Sequence, residues 1–206
     1  DRLSIILNKF SDDDTWQKSE CAVNKRIIRA YDLDMEIARI DTTTASSYGQ
    51  ITAGGLLQFG HSKDHRPDLG QVKIASATLN PLGIPLVTMT VSGEQADDVL
   101  YIPVIEEVRK SLGRNKGILY VGDSKMGAIA IRSDLSYHNE YYLMPLSKVH
   151  VNDSLMVSYL DTFDARLEQE RQLELVWVTD QYKNKALIGK GFTVTEKLYH
   201  TRQEEG

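Results

Sequence analysis

The chain has 206 residues, 41% hydrophobic and 26% charged, with a formal net charge of −5 and one cysteine, Cys21. That length suits one domain with an appendage, or two small domains; a lone cysteine cannot form an internal disulfide and fits a reducing cytosol, and no apolar run approaches the roughly 20 residues that span a bilayer. The acidic balance argues against a protein that coats nucleic acid, though not against an enzyme that binds it through a local patch and neutralises its own carboxylates with metal ions. No signal-peptide pattern opens the chain, and its first residue is Asp1, which fits a segment cut from a longer polypeptide.

Residues 2–30 read as helix. Leu3, Ile6, Leu7 and Phe10 share one face, and "SDDDTW" then offers an N-cap serine and an acidic first turn for a second helix, continued by Val23, Ile27 and Ile28. The run Asp12–Asp14 reads as a solvated helix start. The pattern next becomes extended. "IARIDTTTASSY" is rich in β-branched residues, "QVKIASATL" alternates Val72 and Ile74 with polar neighbours, and "IPLVTMTVSG" follows the turn signal "NPLG". These runs form a meander of antiparallel strands, with a long connection over 49–69 that includes a short strand at "LLQFG".

"DDVLYIPVIEEVRKSLG" is a helix capped by Asp97 or Asp98 and ended by Gly113, with Pro103 in its first turns. "ILYVGD" is a buried strand, "SKMGAIAIRSDLS" a helix, and "EYYLMPL" a core strand stopped near Pro145. After residue 150, "DTFDARLEQERQ" reads as helix or charged linker. "LELVWVTDQYKNKALIGKGFTVTEKLYHT" reads as two or three antiparallel strands turning at "QYKNK". The expected organisation is an N-terminal helical segment (1–38), a core (39–147) and a β-rich element (148–206).

The core order β-β-β-α-β-α-β is that of an α/β ribonuclease H-like mixed sheet, an analogy of fold that needs a site to support it. In that arrangement the first and fourth strands are neighbours. Asp41 on one and Asp123 at the end of the other then lie about 5 Å apart, one strand spacing. Carboxylates that close repel unless a cation or proton lies between them. A hard divalent ion such as Mg²⁺ takes such ligands and keeps positions for water and phosphate oxygens, and paired ions stabilise both the attacking and leaving oxygens of a phosphoryl displacement. The plain alternative is that both aspartates are strand-end turn or cap residues, with Asp123 capping the helix that follows.

Other chemistries fit less well. His61 and His65 have a zinc-like spacing, but Gly60 and Pro67 bracket them and oppose the helix that spacing needs. "GDSKM" lacks the second glycine of a nucleophile elbow, and "NKALIGK" lacks the first glycine of a P-loop.

Three segments, "RIDTTTASSYG", "LLQFGHSKDHRPDLGQVKIASATLNPLGIPLVTMTVSGEQADD" and "LYVGDSKMGAIAIRSDL", together resemble the DDE transposases of bacterial insertion sequences, in the branch with a β-rich insertion before the third acidic residue. The resemblance covers residues 25–150 and is densest in "GHSKDHRPDLGQ", the P-x-G-x-P turn and "SGEQAD". It implies that Asp41 and Asp123 are catalytic and hold Mg²⁺ or Mn²⁺. It also implies a third carboxylate, a glutamate within a tyrosine–arginine–glutamate–lysine signature on a later helix. That signature is not found: Glu174 and Glu196 lie in strand-like contexts without the upstream tyrosine and arginine. The third ligand is expected past residue 206, within a truncated insertion, so this fragment is expected to be inactive alone.

The implied partners are DNA, as transposon ends and target, and a second copy in the full-length protein, with no membrane and a bacterial, nucleoid-associated cytoplasmic location. Lys63, His65, Arg66 and Lys73, and more weakly Lys125, are candidate phosphate contacts, which position DNA without reading its sequence. The plain reading of that loop is a solvated segment whose charges pair with Asp64 and Asp68. Two further readings stay open: a catalytically inactive remnant that binds DNA or oligomerises, and a metal nuclease that cuts without joining.

Overall fold

The computed structural model describes residues 1–61, 63, 65–149, 151–168, 175–179 and 187–192. The chain divides into two compact units, Asp1–Pro145 and Leu146–Gly206.

The first unit is built on a five-stranded sheet of β1 (Ile37–Ser47), β2 (Gly70–Leu79), β3 (Ile84–Ser92), β4 (Leu119–Val121) and β5 (Tyr141–Leu143), in the order β3-β2-β1-β4-β5. The first three strands are antiparallel neighbours, while β4 runs parallel to β1 and β5 parallel to β4. Helix α3 (Asp98–Leu112) joins β3 to β4. A 3₁₀ turn (Ser124–Gly127) and helix α4 (Ile129–Tyr137) join β4 to β5. The fold is ribonuclease H-like, and its elements follow the expected β-β-β-α-β-α-β order.

One face of the sheet makes the core. Along β1, Ala38, Ile40, Thr42 and Thr44 are buried while Arg39, Asp41, Thr43 and Ala45 are exposed. The buried partners on β2 are Ala75, Ala77 and Leu79; the alanines let α3 approach and lay down Leu100, Tyr101, Val104, Ile105 and Val108. Each fully buried aliphatic side chain of this size contributes about 1.5–3 kcal/mol. The alternation in β2 begins on polar residues: Gln71 and Lys73 are the inward positions, and Val72 and Ile74 are only half-buried. Between β2 and β3, Gly83 sits at φ 67°, a left-handed conformation that favours glycine.

Helices α1 (Arg2–Phe10) and α2 (Asp13–Tyr31) precede the sheet. The cap between them is Asp12, whose carboxylate accepts from the Thr15 amide at 2.9 Å, in place of the expected serine; Ser11 instead closes α1. A carboxylate suits that position because the helix N-terminus carries partial positive charge. Asp13 and Asp14 are solvated, as expected. Helix α2 protects the outer edge of β3: Asn24 Nδ2 donates to the Leu86 carbonyl at 2.6 Å, and the Thr88 amide donates to Glu20 at 3.2 Å.

Three expectations about local structure change. "LLQFG" supplies one isolated bridge, Gln58 to Gln71, rather than a strand. The helix expected after Asp123 is interrupted at Ala128, which is extended (φ −56°, ψ 141°) and separates the 3₁₀ turn from α4. Strand β5 is not a core strand: it lies at the sheet edge, with Tyr141 and Leu143 exposed by 65% and 61%.

An ionic cluster fixes β4 from behind. Arg109 of α3 donates to Glu140 at 2.6 Å and to Asp134 of α4 at 2.8 Å, and the Tyr120 hydroxyl of β4 donates to Glu140 at 3.3 Å. Burial, then the Glu140 charge, pushes the Tyr120 phenol far above its ordinary value, so it remains a neutral donor.

In the second unit, α5 (Asp153–Glu168) is helical, and β6 (Leu175–Thr179) and β7 (Leu187–Phe192) form an antiparallel pair. The expected turn at "QYKNK" and the run after Phe192 lie outside the described residues. Among the described residues no helix is long and apolar enough to cross a membrane.

Candidate two-aspartate metal centre

The parallel register of β1 and β4 pairs Ile37 with Leu119, Ala38 with Tyr120 and Arg39 with Val121. Counting two residues past the last pair gives Asp41 following from Arg39 and Asp123 following from Val121. Neighbouring strands are about 4.8 Å apart, so the two backbones run side by side at these positions; Asp123 lies just past the end of β4, but Asp41, expected at a strand end, lies inside β1 because that strand continues to Ser47 to pair with β2. Asp41 is still within β1, opposite Ser76 of β2. Asp123 follows Gly122, where the chain leaves the sheet; a Cβ there would press into the Met126 side chain.

Each carboxylate is held by one oxygen. Asp41 Oδ1 accepts from the Thr42 amide at 2.7 Å. Asp123 Oδ1 accepts from the Tyr101 hydroxyl at 2.7 Å, the Lys125 amide at 3.0 Å and the Met126 amide at 3.4 Å. Among the described residues no donor is recorded on Oδ2 of either aspartate. Asp123 is thus a cap, as the plain reading had it, and capping occupies only half of its ligating capacity.

Tyr101 links the two aspartates electrostatically. It is fully buried on α3. Burial, the bond to Asp123 and that residue's charge push its phenol far above the ordinary value; the Asp41 charge adds to the rise and the Thr42 hydroxyl opposes it. The phenol therefore stays a neutral donor, fixing Oδ1 of Asp123.

The candidate basic residues separate into three groups. Lys63 lies against the middle of β1: its amide donates to Thr44 Oγ1 at 3.3 Å, and its Nζ donates to the Thr42 carbonyl and, at 3.0 Å, to Thr42 Oγ1. It therefore stands one residue from Asp41. Lys125 stands two residues from Asp123, with its Nζ on Asp97 Oδ2. Lys73 is different: it is buried, with Nζ 2.7 Å from Asp97 Oδ1 and also donating to the Gln95 carbonyl, so it is a buried ion-pair partner rather than a surface cation.

Burial pushes the Asp97 carboxyl up, but the bonds and charges of Lys125 and Lys73 outweigh it and hold the group below the usual range. His65 is exposed, at φ 57°. Arg66 grips Asp68 with two bonds, at 2.8 and 2.7 Å. That is the pairing the plain reading of the loop expected; Asp64 lies outside the described residues.

Two neighbouring parallel strands thus supply two carboxylates, each with one oxygen that takes no donor among the described residues, and that donor set suits a hard divalent ion, which takes few protein ligands and keeps other positions for water and phosphate. Among the described residues no group of three or more His, Cys, Asp or Glu is placed to hold a metal ion. Glu174 and Glu196 lie outside the described residues.

Sequence reasoning missed Tyr101 as a partner of Asp123. A tyrosine on the buried face of a helix was the available signal, since its hydroxyl must find an acceptor there. It also missed the role of Asp97, whose position before α3 reads as a cap.

No protein-family model and no curated protein sequence matches the chain. Among solved structures it is similar to a Mos1 transposase paired-end complex with the left transposon end, at 10% identity over 75% of this chain and 53% of that one, TM-score 0.38. It is also similar to the catalytic domain of Mos1 mariner transposase, at 10% identity over 75% and 78%, TM-score 0.37. A simian T-cell lymphotropic virus intasome in complex with the PP2A regulatory subunit B56 gamma matches at 8% identity over 82% and 61%, TM-score 0.38. The chain spans about half the length of the Mos1 chain in the paired-end complex. The fold assignment rests on strand order and direction, independently of these likenesses.

Proposed function

We propose that this chain is the two-aspartate part of a DNA transposase of the DDE type, which cleaves DNA at transposon ends and joins the freed strand to a target. The observation that carries the reading is the pair Asp41 and Asp123 on neighbouring parallel strands, each with one oxygen tied down and one that takes no donor among the described residues. A divalent ion held there, Mg²⁺ or Mn²⁺, supplies charge neutralisation for a phosphodiester.

The protein's own contributions can be stated residue by residue. The Asp41 and Asp123 carboxylates hold the ion. Tyr101 and the amides of Lys125 and Met126 fix the Asp123 carboxylate, limiting the reorganisation needed during reaction. Lys63 and Lys125, one on each side, meet phosphate oxygens and orient the strand. His65 and Arg66 lie on the adjoining loop and extend that contact. In the first step water attacks the phosphodiester and releases a 3′-hydroxyl; in the second that hydroxyl attacks target DNA. The reading also calls for a third carboxylate to complete the site.

A second reading is a catalytically inactive relative that binds DNA or oligomerises, favoured by the absence of a three-carboxylate group among the described residues. Asp41→Ala and Asp123→Ala, assayed for transposition, decide between them. The transposase reading expects each to abolish transposition; intact transposition in either would refute the assignment. A strand-transfer assay then separates a transposase from a nuclease that cuts without joining.

A further inference from the structure

Lys73 on β2 and Lys125 on the 3₁₀ turn both end on one carboxylate, that of Asp97. Asp97 occupies the N-cap position of α3 yet makes no side-chain capping bond there. Its Oδ1 faces Lys73 and its Oδ2 faces Lys125. Burial is graded along this bridge: the side chains of Lys73 and Asp97 are 6% and 7% exposed, and that of Lys125 is 43% exposed. The bridge therefore has a closed end inside the fold and an open end beside Asp123.

A free surface lysine samples many rotamers and loses that freedom on gripping a phosphate. A lysine already held by a braced carboxylate has lost part of it beforehand, which favours binding. Simple charge arithmetic predicts the reverse, because a carboxylate next to a basic residue repels a phosphate. The two effects have opposite signs and can be told apart.

We propose that Asp97 is a positioning residue: braced by Lys73, it holds the Lys125 ammonium beside Asp123, where Lys125 meets a phosphate of the DNA strand entering the two-aspartate site. This rests on the DNA-cleaving reading above.

The test is fluorescence polarisation of a labelled short DNA duplex with this chain across a salt series. Lys125→Met is expected to weaken binding and to lower the slope of log affinity against log salt by about 1, the loss of one phosphate contact. Asp97→Asn is expected to do the same although it makes the protein more positive, and the double variant to lose no more than either single one. Because Asp97→Asn leaves Lys73 buried without its counter-charge, Lys73→Met with Asp97→Asn provides a variant from which the buried pair is removed together; it is expected to behave like Lys125→Met. If Asp97→Asn and the paired variant tighten binding while Lys125→Met still weakens it, Asp97 is only a buried ion-pair partner and the proposal fails alone. If the unaltered chain does not bind the duplex, the DNA reading fails and the proposal with it.

Discussion

Asp41 and Asp123 stand in matching positions on parallel neighbours: each lies two residues beyond the last strand pair, Arg39 with Val121. Each also uses Oδ1 for local hydrogen bonds. The two residues differ in what else they do. Asp41 is exposed on a continuing strand, whereas Asp123 caps a turn and takes the hydroxyl of a buried tyrosine.

That difference separates structural from ligating roles by mutation. Asp123→Ala removes a cap, at about 0.5–2 kcal/mol, and strands the Tyr101 hydroxyl, at about 1–3 kcal/mol more. Asp41→Ala at an exposed position is expected to change stability by less than about 0.5 kcal/mol. Urea denaturation of the two variants checks this; equal losses would contradict the asymmetry.

Much of this geometry was legible in the sequence, and the illegible parts share a cause. Turn signals and β-branched runs mark β1, β2 and β3, and the apolar spacing of Leu100, Tyr101, Val104, Ile105 and Val108 marks α3, so the strand order follows. The inward face of β2 was obscured because Val72 and Ile74 look like core residues. The true inward set starts with Gln71 and Lys73, a choice that is tolerable only because Asp97, 24 positions on (97 − 73), supplies the counter-charge. Strand β5 looked apolar enough for the core, but an edge position is decided by neighbours that a local pattern does not contain. Gly93 has a similar logic: a Cβ there would collide with the Gln71 carbonyl, a contact set by tertiary approach.

The Arg109 cluster is expected to be costly to break. Glu140 has no exposed side-chain surface, and its ionic partner is Arg109. Arg109→Ala leaves a buried carboxylate without its counter-charge, the Tyr120 hydroxyl still donating to it, a loss of about 3–5 kcal/mol. Lys110→Ala, which removes a 65%-exposed partner of Glu107, is expected to cost less than about 1 kcal/mol. Thermal unfolding of both variants measures the contrast, and a small shift for Arg109→Ala would show that the cluster does not brace β4.

Asp97 gives the fold a defined acid limb. Its folded carboxyl lies below the ordinary value of about 3.9. A depressed carboxyl contributes stability that is complete above its unfolded value and is lost as pH falls through the lowered folded value. Stability therefore declines below about pH 4, in part through this residue. Asp97→Asn is expected to be less stable than the unaltered chain at neutral pH and to converge on it in acid. Parallel curves at all pH values would show that the lysines do not lower this carboxyl.

The most direct test of the central claim is calorimetric titration of Mn²⁺ into the 206-residue chain, beside Asp41→Asn and Asp123→Asn. The expected result is weak binding, millimolar or weaker, that either substitution abolishes, which would place both carboxylates on one ion. No binding, or binding indifferent to both substitutions, would leave Asp123 a cap and Asp41 a surface residue, and would contradict the metal centre.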